Sequence, residues 1–164
     1  MPARVRPLTA EDLPEVVALA LRAWAPVFAS MADVLGPAVY DHLYPDWAAA
    51  QARSVAAGCT REGTRVWVAE DESGLAGFVT VVVHDETYDE PDSGEIEMLA
   101  VDPARQGRGV GGLLTAHALD AIRQAGCRIA VVATGGDPGH APARHVYERA
   151  GFRAMPLVRY YQAL

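Results

Sequence analysis

Residues 101 to 114 read Val101-Asp102-Pro103-Ala104-Arg105-Gln106-Gly107-Arg108-Gly109-Val110-Gly111-Gly112-Leu113-Leu114. Apolar alternation ends at Val101, glycines then crowd positions 107, 109, 111 and 112, and a helical pattern starts near Leu113. Without Cβ atoms, the backbone N–H groups of such a loop can approach a ligand closely. The helix behind the loop adds unpaired N–H groups and the positive end of its dipole. Arg105 and Arg108 supply charge that reaches phosphate oxygens. The combination is an anion site suited to a pyrophosphate. A tight strand-to-helix turn with no ligand is the plainer alternative.

Upstream of the loop the pattern has period two. Arg65 to Glu70 reads as a strand, Asp71-Glu72-Ser73-Gly74 as its turn, and Leu75 to Val83 as a second strand in which Gly77 marks a bulge or a close approach. His84 to Ser93 is an acidic loop, and Glu95 to Val101 a third strand. Downstream, Leu113 to Gln124 is a helix closed by Gly126. Ile129 to Ala133 is an apolar run that predicts a strand buried on both faces. Ala141 to Arg149 is a short helix ended by Gly151, with closing strands at Phe152 to Met155 and Val158 to Tyr161. At the N-terminus, Val5 to Leu8 predicts a strand, and Thr9 with Asp12 approaches a capping box. Leu13, Val16, Val17, Ala20 and Trp24 recur at helical spacing until Pro26, which is expected to stop the helix. A second helical stretch covers roughly Pro37 to Ala57, broken or kinked at Pro45 and ended by Gly58. This order predicts an α/β (α+β) fold: a mixed, mostly antiparallel sheet of six to seven strands with helices on both faces and one β-α-β crossover.

The 164 residues suit a single domain spanning 1–164. Apolar residues make up 51%, which supports a folded core rather than disorder. With 14 basic and 21 acidic residues the formal charge is −7, which argues against a general nucleic-acid or membrane-surface binder. Cys59 and Cys127 form no CxxC or zinc-ligand spacing, so no metal site is expected and both read as thiols of a reducing compartment. The N-terminus shows no apolar leader segment, and the apolar runs read as too short to span a bilayer, so a cytoplasmic location is expected.

The ligand of the loop is narrowed by its surroundings. Gly107-x-Gly109-x-x-Gly112 matches the dinucleotide fingerprint GxGxxG, with Asp137 roughly placed as the acid after the next strand. The hairpins ahead of the loop do not fit a run of parallel βα units, and a phosphate loop of the Gly-Lys-Ser/Thr kind is absent. The segment instead resembles the acetyl-CoA motif Q/R-x-x-G-x-G/A of the GNAT superfamily, with Gln106, Gly109 and Gly111 at the fixed positions. A second block, Ala143-x-x-x-Tyr147-x-x-x-Gly151-Phe152, resembles that family's A-x-x-x-Y-x-x-x-G-F segment. The resemblance covers residues 65 to 155 well and the N-terminal helices only by pattern. Where the family often has an Asn three residues before the Ala, this chain has His140.

The resemblance implies an acetyl-CoA-dependent N-acetyltransferase. It implies a V-shaped opening between the strand ending at Val101 and the strand ending near Thr134. Pantetheine would pair with Leu99 and Val101 like an added strand, while a backbone N–H near Leu99 or Ala100 polarises the thioester carbonyl. The cofactor-binding set is then Leu99, Ala100, Val101, Arg105, Gln106, Gly107, Arg108, Gly109, Val110, Gly111, Gly112, His140 and Tyr147. Family members transfer the acetyl group by direct attack of an amine, and they often form homodimers. In the family the tyrosine matched by Tyr147 directs its hydroxyl at the thioester sulfur, which makes Tyr147 the candidate acid.

An attacking amine must be neutral, so a proton acceptor is needed. Glu95 and Glu97 alternate with Ile96 and Met98 and therefore face one side of their strand, where either can serve as base; a salt-bridged strand face is the alternative. In the loop Thr134 to His140, Asp137 is a candidate for binding an ammonium and His140 for shuttling a proton. Trp24, Tyr40, Tyr44 and Trp47 lie on the first two helices, where Trp24 is the candidate acceptor contact and core packing the alternative. The expected partner is a small-molecule amine. A non-catalytic acyl-CoA sensor and a dinucleotide enzyme stay open on the sequence alone.

Overall fold

The computed structural model describes residues 2–164; Met1 lies outside the described residues. Strands β1 (Arg4–Pro7), β2 (Arg65–Asp71), β3 (Gly74–Val83), β4 (Ser93–Val101) and β5 (Ile129–Val132) form one sheet in the order β1-β2-β3-β4-β5. The first three pairings are antiparallel and β4–β5 is parallel. On one face Val16, Leu19 and Ala20 of α1 (Leu13–Leu35) and Val55 and Cys59 of α3 (Trp47–Thr60) bury Val68, Phe78 and Ala100. On the other, Leu114, Ala118 and Ile122 of α4 (Val110–Gln124) bury Val79, Val81 and Ile96. The short helices α2 (Pro37–Leu43) and α5 (Ala141–Arg149) complete the two layers.

The alternation of each strand explains which side chains meet which helix, and two bulges reset it. On β3, Ala69 lies opposite Gly77 and Glu70 opposite Leu75, so Ala76 is the extra residue. Its carbonyl accepts the Asp102 N–H at 2.9 Å. A Cβ at Gly77 would stand 2.6 Å from the Ala100 carbonyl oxygen, so this glycine is required by a close approach beside that bulge. On β4, Val81 faces Ile96 and Thr80 faces Met98, which leaves Glu97 as the extra residue. Thr80 Oγ1 accepts the Met98 N–H at 3.0 Å and holds the bulge in place.

Several expectations are corrected. Among the described residues the sheet has five strands rather than six to seven, because residues 152–164 add none. Pro156 lacks a ladder donor, and Met155, Leu157 and Tyr160 around it point to solvent. With no strand covering it, β5 is not buried on both faces, and Ile129 is 55% exposed. Pro26 does not stop α1, which runs 23 residues to Gly36 at φ +72°. Packing on both sides of the proline holds it: Trp24 stands edge-on to Phe78 at 6.1 Å and Phe28 stacks on Trp47 at 4.5 Å. The stretch Ala10–Leu35 is consequently long and apolar enough, by length and composition alone, to cross a bilayer, contrary to the expectation from shorter runs. In this fold Val16, Leu19 and Ala20 on that stretch are buried against the sheet. Gly58 does not end α3 either; a Cβ there would meet the Met98 methyl at 2.3 Å, so it marks close packing of helix on sheet.

Candidate functional site

The parallel pair β4–β5 is hydrogen-bonded only from Ser93↔Ile129 to Ile96↔Val132. Beyond Ile96, β4 continues to Val101 while β5 ends, so the two neighbours part and leave a V-shaped opening along Glu97 to Val101. The glycine loop sits at its mouth. Asp102 caps the turn Pro103–Arg105 by accepting the Ala104 N–H at 2.9 Å. Gly107 and Gly109 then take φ of +75° and +83°, values that side chains with a Cβ disfavour. Gly109 is the N-cap of α4, and the first intrahelical bond runs from Leu113 N–H to Gly109 C=O at 3.0 Å. The N–H groups of Val110, Gly111 and Gly112 precede that bond and have no intrahelical acceptor. Gly111 lets α4 approach α5: a Cβ there would be 3.3 Å from Val146.

The two loop arginines divide their tasks. Arg105 turns back onto the β2–β3 turn, donating to the Ser73 carbonyl at 3.2 Å and standing 3.5 Å from Asp71 and 3.8 Å from Asp102. Its charge shapes the loop. Arg108 is exposed beside the helix N-terminus. Gln106 Nε2 donates to the Val101 carbonyl at 3.2 Å, closing the loop over the end of β4. Asp102 is a residue the sequence reading missed. Burial pushes its carboxyl up, but the Arg22 guanidinium at 2.7 Å and the Ala104 N–H outweigh this and hold it below the usual carboxylate range. The ion pair anchors α1 to the loop, and an Asp-Pro directly after a strand was its available signal.

Glu95, Glu97 and Met98 of β4, Ser54 and Gly58 of α3, and Arg61 directly after α3 line a cleft of about 740 Å³. The two carboxylates do share a side, as alternation predicts. Met98 shares it too, against that alternation, because the bulge at Glu97 turns the strand. Glu97 forms an ion pair with Arg61. Glu95 Oε2 lies 2.8 Å from Nε2 of His84, whose Nδ1 lies 2.9 Å from Ser93 Oγ. His84 and Ser93 were not singled out from sequence, since nothing there shows that an antiparallel pairing brings residue 84 against residue 95.

Tyr147 on α5 is 8% exposed and meets Phe152 edge-on at 5.9 Å. Burial pushes its hydroxyl up to about 12, so it keeps its proton at neutral pH. After β5, Asp137 accepts from Ser30 Oγ of α1 at 2.7 Å and contacts His140 Nδ1, while Arg144 donates to the carbonyls of Gly135 at 2.6 Å and Asp137 at 2.8 Å. Burial raises the Asp137 carboxyl, and the Ser30 and His140 bonds more than offset that, leaving it below the ordinary range. His140 therefore presents Nε2 from a ring fixed by Asp137. Trp24 packs on Phe78 within the α1–sheet core. Among the described residues no three His, Cys, Asp or Glu side chains are grouped to hold a metal ion.

The sequence profile described as Acetyltransferase (GNAT) family matches residues 28–152. The chain belongs to the GNAT acetyltransferase family. Among similar proteins, the mycothiol acetyltransferase of Rhodococcus opacus (strain B4) is 42% identical over 82 residues, covering 50% of this chain and 26% of that protein. The mycothiol acetyltransferase of Thermomonospora curvata is 30% identical over 167 residues, covering 96% of this chain and 53% of that protein. The chain thus spans about a quarter and about half of the length of these relatives. Among solved structures, the PaiA N-acetyltransferase of Thermoplasma acidophilum in complex with coenzyme A superposes with a TM-score of 0.67 at 15% identity, covering 94% of this chain and 92% of that one. The GNAT fold is thereby shown.

Proposed function

We propose that this GNAT acetyltransferase moves the acetyl group of acetyl-CoA to the primary amine of a small molecule, by direct attack within a ternary complex. The observation that carries the reading is the glycine loop at the mouth of the β4–β5 opening, where Gly109 caps α4 and the N–H groups of Val110 to Gly112 lack helical acceptors. The residues fit the group. A pyrophosphate finds backbone donors, a helix dipole and Arg108, and the unpaired edge of β4 offers Leu99 to Val101 to pantetheine. Acetyl-CoA supplies the activated thioester.

The chain's own groups then supply proton chemistry and orientation. Glu95 and Glu97 line the cleft that receives the amine, and a carboxylate there takes the proton that keeps an ammonium from attacking. The N–H near Leu99 or Ala100 stabilises charge developing on the carbonyl oxygen. Tyr147, protonated at neutral pH, gives its proton to the departing thiolate sulfur and regains one from the attacking nitrogen. His140, fixed by Asp137, takes the position of the family's usual Asn beside pantetheine. Free CoA released from acetyl-CoA across a panel of small primary amines tests the reading. Turnover with at least one amine supports it; coenzyme A binding with no turnover on any amine points instead to an acyl-CoA sensor.

A further inference from the structure

The charges that line the acceptor cleft cancel. Its ionisable lining residues are Arg61, Glu95 and Glu97. Glu97 is ion-paired to Nη2 of Arg61, so these two together add no charge. Glu95 is balanced from behind by His84. Ser93 Oγ is 2.6 Å from the Glu90 carbonyl, which can only accept, so the Ser93 hydroxyl donates there. Nδ1 of His84, 2.9 Å from Ser93 Oγ, must therefore donate to it. The 2.8 Å contact between Nε2 and Glu95 Oε2 needs a proton of its own. The pair thus holds one proton more than a neutral imidazole and a carboxylate bring, and it is neutral as a unit wherever that proton sits. His84 is buried and its ring stacks on Tyr88 with centroids 4.0 Å apart, which fixes the pair beside the cleft.

Arg61 is the member of this set with capacity to spare. It is the C-cap of α3 and leaves the helix in extended conformation, with φ −65° and ψ 136°. Its carbonyl accepts the Thr64 N–H at 3.2 Å, and its Nε donates to Thr64 Oγ1 at 3.2 Å. One turn thereby holds both the backbone and the guanidinium. A guanidinium carries five N–H donors. The Thr64 bond occupies Nε, and the Glu97 contact runs from Nη2 to Oε2 alone. The remaining donors, on Nη1 and Nη2, find no acceptor among the described residues, and the side chain is half-exposed where it lines the cleft.

We infer that the acceptor is a small zwitterion, an amine that also bears a carboxylate, with the carboxylate held by the open donors of Arg61 and the ammonium by Glu95 and Glu97. The inference rests on the acetyltransferase reading given above and names its substrate class. A cleft whose lining is neutral as a whole but carries both signs locally complements a ligand built the same way. The planar guanidinium matches a carboxylate in shape as well as charge, through two parallel N–H···O bonds. The same count works against polycations. Every ammonium beyond the first enters a cleft with no net charge left to pair it, and it gives up its water on entry. An amine with a single charge and no carboxylate enters too, but it leaves the Arg61 donors unused.

The test measures kcat/KM in the full chain for a length series of amino acids from glycine to ε-aminocaproate, for their primary amides and for spermidine. The amides keep the amine and remove the carboxylate charge. At the best-fitting length the acid should exceed its amide by about 10- to 100-fold, the effect of charge-assisted hydrogen bonds at one end of a ligand, and spermidine should rank below that acid. Arg61→Gln should bring the acid-to-amide ratio within about threefold of unity and, with Glu97 left uncompensated, raise spermidine relative to the acids. Arg61→Lys keeps the charge without the fork and should retain an intermediate ratio. Thermal unfolding checks that both variants fold; should Arg61→Gln not fold, Arg61→Lys and the parent ratios decide. Independently of turnover, calorimetric titration of the acid into protein saturated with coenzyme A should show binding at least about tenfold tighter than that of its amide, and Arg61→Gln should lose the difference. Amides equal to acids in the parent chain, spermidine preferred to every acid, or a ratio unchanged in Arg61→Gln overturns the inference and leaves the acetyltransferase reading intact. Selective binding of the acid with no turnover of any amine defeats the acetyltransferase reading instead, and neither binding nor turnover defeats both.

Discussion

Substituting Gly109 by alanine and by glutamate separates backbone strain from charge at the phosphate cradle. Gly109 has φ of +83°, and no atom lies within 4 Å of the Cβ it would carry. Alanine therefore costs the left-handed conformation alone, about 1–2 kcal/mol. For a chain of this size that lowers Tm by roughly 2–8 °C. Glutamate carries the same strain but places a carboxylate at the N-terminus of α4. In the free protein the helix dipole favours that charge by about 0.3–1 kcal/mol, so Gly109→Glu should be no less stable than Gly109→Ala. With acetyl-CoA bound, the same carboxylate stands near the pyrophosphate. Two unit charges about 5 Å apart repel by roughly 3 kcal/mol at an effective dielectric of about 20 and by under about 1 kcal/mol in bulk water. The glutamate variant should bind coenzyme A at least about tenfold more weakly than the alanine variant, the affinity lost for about 1.4 kcal/mol. Calorimetric titration with coenzyme A and thermal unfolding without it measure both effects. Equal affinity of the two variants, or a glutamate variant less stable than the alanine variant, would refute the placement of the phosphates on this helix end.

Other outcomes follow from contacts already described. Tyr147→Phe should lower kcat by about 100-fold while leaving coenzyme A affinity within about twofold, measured by CoA release and calorimetry. Gly58→Ala should push the Met98 methyl, 2.3 Å from the new Cβ, into the acceptor cleft, raising KM for amines several-fold with coenzyme A affinity unchanged. Asp12 is held well below the usual carboxylate range, chiefly by hydrogen bonds from Arg6. The unfolded chain therefore takes up more protons in acid, so this stability is complete above the ordinary carboxylate value of about 4 and is lost as pH falls below it. Asp12→Asn should cost about 1 kcal/mol at neutral pH and flatten the acid limb of a Tm profile. Burial pushes the Cys59 thiol up to about 11, so at pH near 8 mass spectrometry should find an alkylating reagent on the more exposed Cys127 first and on Cys59 only after unfolding.

Local patterns carried the sequence reading as far as local physics reaches. The hairpin β2–β3 has a turn at Glu72 and Ser73, β4 alternates at its start, and the glycines at 107 and 109 need positive φ, so strands, loop and helix were legible. Long-range pairings were not. The partnership of His84 with Glu95 depends on register across β3 and β4, and the side taken by Met98 depends on a one-residue bulge at Glu97. Arg105 looked like a phosphate ligand because its neighbours are glycines, yet Asp71 and the Ser73 carbonyl, more than thirty residues upstream, claim it. Pro26 and Gly58 were read as helix ends from intrinsic propensity, which aromatic packing and a close helix-to-sheet contact override. The tail after Phe152 shows the reverse: β-branched and aromatic residues suggested strands where Pro156 and exposure leave none.

Titration of acetyl-CoA into the unmodified chain tests the central claim most directly. Saturable one-to-one binding in the micromolar range, abolished or strongly weakened in Gly109→Glu, is the predicted result. No binding heat at millimolar acetyl-CoA, from protein shown to be folded by its thermal transition, would contradict it.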